Sequence, residues 1–296
     1  MGTQNSIPIL QKTTELPDRC STHGNSLLPI QKEEKSWLLK RNGNQIWNNL
    51  YYNSENNMEQ FFTLEAPDGF EISWVLNFSQ VTEKCIVFVH GLTGSMTEAH
   101  FYTAKEYFTR KGYAVCRFNL YSGWEKSRQL HECSMWDHAL DIEVILSFLA
   151  KNYRDIVLVW HSLGASSIVG VSSFPSQVRK IIFWDGALDT SRTILRCFEK
   201  NGLWFFYPRN GRNVEISKIL YDELLANQHE SFLAKNVFPK KNMYMIFASQ
   251  ATHKYFQEKA TKLGIDSCII DWANHGFTQE GKYEELFEKT LTFIQK

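Results

Sequence analysis

The sequence predicts an α/β protein: a mainly parallel sheet with helices on both faces, an N-terminal hairpin and a helical cap inserted late in the chain. Three observations carry that reading. Short, continuous β-branched or aromatic runs, of the kind that form strands covered on both sides, punctuate residues 85–270. Helix-like segments alternate with them, and such alternation builds parallel sheets through helical crossovers. With 43% apolar and 14% aromatic residues among 296, the chain also has ample material for a buried core.

Residues 1–58 differ from the rest. They hold nine Asn and only isolated apolar residues such as Trp37, Leu38, Ile46 and Trp47, so they read as a polar, partly disordered extension with one short docked segment around 36–50. Met1-Gly2-Thr3-Gln4-Asn5-Ser6 matches the pattern for N-myristoylation at Gly2. One myristoyl chain binds membranes marginally, and six basic against five acidic groups in this stretch form no polybasic cluster, so Gly2 implies weak membrane contact at most.

Residues 59–296 read as the main domain. Apolar runs at 61–64 and 70–78 flank Pro67-Asp68-Gly69, a hairpin signal. Strands follow at 85–89, 113–118, 156–159, 178–184, 243–248 and 268–270. Helices are expected at about 98–111, 134–152, 163–174, 253–264 and 280–295. Ser134 is the expected N-cap of the second, in which Ala139, Ile142, Ile145, Leu146 and Leu149 form one apolar stripe. Residues 186–240 are too many for a simple crossover, and the run from Leu203 to Pro208 is too apolar for an exposed loop. A helical cap over the strand ends is the expectation there.

Thirty-two basic and thirty-two acidic residues cancel, which argues against the basic face that nucleic acid requires. There is no apolar run of membrane-spanning length and no secretory signal, so a soluble, cytoplasmic protein is expected. Cys20, Cys85, Cys116, Cys133, Cys197 and Cys268 are scattered without a CxxC pair and read as reduced. His131, Cys133, Asp137 and His138 lack any zinc-site spacing, and no metal is expected.

The chemistry concentrates in three segments. In Trp160-His161-Ser162-Leu163-Gly164, a buried strand runs into a tight turn that lifts the Ser162 hydroxyl to the strand's carboxyl end. Without further context, Ser162 would read equally well as a helix cap. His90-Gly91-Leu92 follows an earlier strand, so the Leu92 and Leu163 N–H groups can serve as an oxyanion hole. Asn274-His275-Gly276-Phe277 follows the last strand and offers His275 as general base. Glu98 and His100, just beyond the first turn, read as the opening of a helix. Arg117, Trp124 and Arg128 read as packing or rim residues.

Together these segments resemble the α/β-hydrolase superfamily across residues 59–296. The stretch from Arg117 to Gly123, the cap from near Leu188 and the run around Phe247 are similar to bacterial serine esterases, thioesterases and the acyl transferases that release fatty acids for bioluminescence. The resemblance implies a Ser, His and acid triad, an acyl-enzyme intermediate and no metal or organic cofactor, so hydrolysis or transfer of an acyl group from a small-molecule ester or thioester is expected; the aromatic run 203–207 in the cap suggests an apolar acyl chain. The expected pocket residues are His90, Gly91, Trp160, His161, Trp204 and Phe205. Two departures stand out: Trp160 replaces the first glycine of G-x-S-x-G, and Thr252 stands where the family commonly carries its acid. Asp185, at the end of the strand at 178–184, is the leading replacement; its bland reading is a turn former. Asp189, Asp271 or no acid at all remain open, and the last would make the chain a silent binding protein with a hydrolase fold.

Overall fold

The computed structural model describes residues 49–52, 58–187, 190, 197–206, 213–226, 238–251 and 253–296. Gly2, Leu188, Asp189, Tyr207, Pro208 and Thr252 lie outside them, as does most of the polar extension.

Nine strands form the main sheet: β1 (Asn49–Tyr52), β2 (Met58–Glu65), β3 (Glu71–Phe78), β4 (Lys84–Val89), β5 (Ala114–Phe118), β6 (Asp155–His161), β7 (Val178–Trp184), β11 (Met243–Ala248) and β12 (Asp266–Ile270). Their order across the sheet is β1-β2-β3-β5-β4-β6-β7-β11-β12. The first four in that order pair antiparallel, and every pair from β5 to β12 is parallel. The hairpin closes at Gly69, whose φ of 90° suits a residue without Cβ. β1 lies at the edge of the stretch read as an extension, and its register with β2 begins at Asn49 and Phe61.

Period-two alternation splits the core between two faces. Ile156, Leu158 and Trp160 of β6 join one buried cluster, together with Ile142, Ile145 and Leu146 of helix α2 (Met135–Leu149). Val157 and Val159 join the other, with Phe101 and Phe108 of α1 (Ala99–Arg110) and Phe287 of the C-terminal helix, Lys282–Gln295. Ser134 caps α2 reciprocally: its Oγ accepts the Asp137 N–H at 3.0 Å, and Asp137 accepts the Ser134 N–H at 2.6 Å. Arg128 donates to Asp141 at 3.0 and 3.2 Å and to Asp68 at 2.9 Å, tying α2 to the hairpin turn. Arg117 is likewise buried, held by Asn77 at 3.0 Å and the Met96 carbonyl at 2.9 Å, while Trp124 is exposed.

Two expectations are corrected. The helix expected at 163–174 is a 3₁₀ helix, Ser162–Gly170. The Ser166 hydroxyl turns back onto the Leu163 carbonyl at 2.5 Å, and Gly170 abuts Ala139 and Trp136 of α2, so local bonding and close packing replace α-helical geometry. The cap is not simply helical. Strands β8 (Cys197–Lys200), β9 (Leu203–Phe206) and β10 (Val214–Ile216) form a three-stranded antiparallel sheet, followed by helix α3 (Lys218–Ala226). Asn201 and Gly202, both at positive φ, make the tight β8–β9 turn, a conformation this residue pair tolerates. Helix α4 (His253–Leu263) precedes β12, and the C-terminal helix is α5.

Candidate active site

Chain direction across the sheet reverses at β4. The connection through α1 leads to β5 on one side, and the next strand, β6, returns to the other. Ligands of open α/β sheets bind at the carboxyl ends flanking such a reversal, and the residues there are His90 and Ser162.

Ser162 leaves β6 with a φ of 55°, a conformation L side chains rarely adopt. The turn is held by close backbone approach. A Cβ on Gly164 would lie 2.3 Å from the His90 carbonyl oxygen, and one on Gly91 would lie 2.9 Å from the Ser162 Cβ. Only glycine at both positions lets the two loops meet. His90 locks the first loop: its Nδ1–H donates to the Gly91 carbonyl at 2.9 Å and its Nε2 accepts the Leu120 N–H at 3.0 Å. Burial lowers its pKa to about 4, in keeping with that neutral tautomer.

Asp185 follows β7 with a φ of 44°. Its N–H donates to the Ile246 carbonyl at 2.7 Å, and its Oδ1 accepts the Ala248 N–H at 3.1 Å. β11 thus contributes a backbone donor to Asp185. His275 sits in the turn after β12, where Asn274 Oδ1 accepts the N–H groups of Gly276 and Thr278 at 3.1 and 3.0 Å, and the Phe277 ring is fully buried. These elements bring three side chains together. The His275 Nδ1–H donates to Asp185 Oδ2 at 2.5 Å, and the Ser162 hydroxyl donates to His275 Nε2 at 2.6 Å.

Leu92 and Leu163 follow the two interlocked turns and pack against the cap cluster of Phe206, Ile216, Leu220 and Leu224. Beside them is a cavity of about 10 Å³, room for about one water molecule, lined by His90, Leu92, Tyr121, His138, Leu163 and Leu220. Trp204 stacks on Tyr221 of α3 at 3.8 Å and belongs to this side. Phe205, one residue on, instead stacks on Phe198 of β8. Trp160 is corrected as a pocket residue: strand alternation sends it into the core, stacked on Phe183 at 5.7 Å, on the α2 side.

No protein-family model and no curated protein matches the chain. Solved structures do. Est1E from Butyrivibrio proteoclasticus superimposes with a TM-score of 0.61 and 17% identity over 79% of this chain and 99% of that one. The esterase domain of a Rhodothermus marinus protein gives 0.62 and 18%, over 80% and 98%. The α/β hydrolase GrgF from Penicillium sp. sh18 gives 0.64 and 12%, over 80% and 98%. The chain has the α/β-hydrolase fold. Within that hydrolase fold, Ser162, Asp185 and His275 stand at the carboxyl ends of β6, β7 and β12, on one edge of the sheet.

One group escaped the sequence reading. Glu98, His100 and His161 converge behind His275, with one ligand-type atom from each lying within 4.8 Å of the others. The residues come from the start of α1 and the end of β6, so no sequence spacing marks them. Burial lowers the His100 pKa to about 3 and raises that of Glu98 to about 7. Among the described residues no helix is long and apolar enough to cross a membrane.

Proposed function

We propose that the chain hydrolyses a carboxylic ester or thioester through an acyl-serine intermediate. The observation that supports this most is the continuous Ser162–His275–Asp185 hydrogen-bonded chain, with links of 2.6 and 2.5 Å. A nucleophile within reach of a base, and a base oriented by a third group, is the arrangement acyl transfer needs. Ser162 Oγ attacks the carbonyl carbon as its proton passes to His275 Nε2. Asp185 holds the ring in the Nδ1–H tautomer and balances the imidazolium. The Leu92 and Leu163 N–H groups receive the developing oxyanion. Collapse of the tetrahedral intermediate expels the alcohol or thiol, which takes the proton from Nε2. Water then repeats the sequence to release the acid. The printed names of two structural neighbours, an esterase domain and an α/β hydrolase, agree with ester hydrolysis. The apolar cluster containing Leu92, Leu163 and Trp204 favours an apolar acyl chain.

Labelling with a fluorophosphonate probe and mapping of the adduct test the mechanism. An adduct on Ser162 that is absent from Ser162→Ala is expected; a folded protein that takes no label would refute it. A series of p-nitrophenyl esters tests the acyl preference. kcat/KM should rise with chain length, and equal values for acetate and long acyl chains would remove that preference.

A further inference from the structure

We infer that Glu98, His100 and His161 form a binding site for a divalent transition-metal ion of the zinc class, bordering the Ser162–His275–Asp185 chain but distinct from it. Two imidazoles and a carboxylate are a donor set that suits zinc. The atoms that face one another are the ones left without partners: Glu98 Oε2, His100 Nε2 and His161 Nδ1 make no hydrogen bond although each is buried. Both histidines are 5% exposed. Unpartnered buried polar atoms are costly, and three converging on one point share a remedy in a single cation.

Tautomer chemistry strengthens the case. His161 Nε2 lies 3.0 Å from the His275 carbonyl oxygen, which can only accept, so Nε2 carries the proton. Nδ1 therefore presents a bare lone pair. An imidazole that ligates through one nitrogen and donates from the other to a backbone carbonyl is the usual second-sphere arrangement of metal-bound histidine. Glu98 Oε2 is 3.8 Å from His100 Nε2. With all three atoms within 4.8 Å of one another, some point lies within about 2.8 Å of each, and shifts of a few tenths of an ångström to about 0.7 Å bring them to the roughly 2.0–2.2 Å of zinc–nitrogen and zinc–oxygen bonds. Gly94 makes room for the carboxylate, since a Cβ there would stand 2.6 Å from Glu98 Oε2. The Glu98 side chain is 28% exposed, while the oxygen that faces the two imidazoles is itself buried.

Native mass spectrometry and calorimetric titration of the full chain with Zn²⁺ after chelator treatment test the site. One Zn²⁺ per chain is expected, with affinity weakened about 100-fold or more by His100→Ala and by Glu98→Gln. His131→Ala, which removes an exposed imidazole, should leave it unchanged. Co²⁺ bound to the unmodified chain should give the visible ligand-field absorption of a four- or five-coordinate ion and lose it on Zn²⁺ addition, a readout independent of how either variant folds. Absence of stoichiometric Zn²⁺ binding, or full affinity in both ligand variants, would overturn the proposal; the first result would leave a bridging water as the occupant. None of these readouts depends on ester turnover, so the site and the proposed mechanism fail separately.

Discussion

His275 and His161 are neighbouring imidazoles with opposite environments. Their ring centres lie 5.0 Å apart, and the carbonyl of the first accepts from the second. The His275 side chain is 52% exposed, with a hydroxyl on one nitrogen and a carboxylate on the other. His161 is buried, with one nitrogen on a carbonyl and the other unpartnered, and burial holds its pKa well below the ordinary range. One ring therefore has a proton donor, an outlet to solvent and a counter-charge, while its neighbour is confined to the neutral form. Environment, rather than residue type, separates the two rings.

Removing the exposed ring should break this contrast most. His275→Ala is expected to lower kcat by about 10⁵–10⁶-fold on the best ester substrate, read by steady-state kinetics; a loss below about 100-fold would mean another base serves Ser162. Removing only its counter-charge should cost less. Asp185→Asn is expected to lower kcat by about 10⁴-fold with circular dichroism unchanged, and near-normal turnover would return Asp185 to the role of a turn former.

On the buried side the effects move from rate to stability. His161→Phe strips the donor from the His275 carbonyl and should cost about 1–3 kcal/mol in urea unfolding, against no change if water or another N–H takes its place. The gentlest effect is in pH. Burial brings the His90 pKa to about 4 and that of His138 to about 3, so the unfolded chain, with ordinary imidazoles near 6.5, binds more protons as the medium acidifies. Stability should then fall as pH drops below about 6.5, each such histidine adding up to about 1.4 kcal/mol per pH unit. His138→Leu should flatten that slope by one proton, and an unchanged slope would show that His138 is protonated in the native state.

Much of this was legible because it is local. The buried strands and the glycines of the two turns are written in runs and turns, whereas Asp185 stands in the sequence beside Asp189, Asp271 and the absence of any acid as alternatives. The elements at 99–110, 135–149 and 282–295 follow from periodicity and caps. What was illegible depends on convergence. Glu98 and His100 read as a helix start because nothing in their spacing points to His161. Trp160 reads as a pocket residue in the sequence because its direction depends on which face of β6 carries even-numbered residues. The cap reads as helical for another reason: the run 203–206 fits helix or strand equally, and Asn201-Gly202 ahead of it decides for a hairpin.

The hydrogen bond from the Ala248 amide to Asp185 has a bearing on the chain's assembly. It spans 63 positions, and the links from His275 to Asp185 and to Ser162 span 90 and 113. A nascent chain that has exposed the Ser162 turn lacks the strand that fastens Asp185 and the loop that carries His275. The proposed hydrolytic competence should therefore arrive as one late event, when β11 zips against β7 and β12 docks beyond it. In refolding, regained probe labelling would act as a clock for closure of the sheet's far edge, and a half-made chain would be spared premature chemistry.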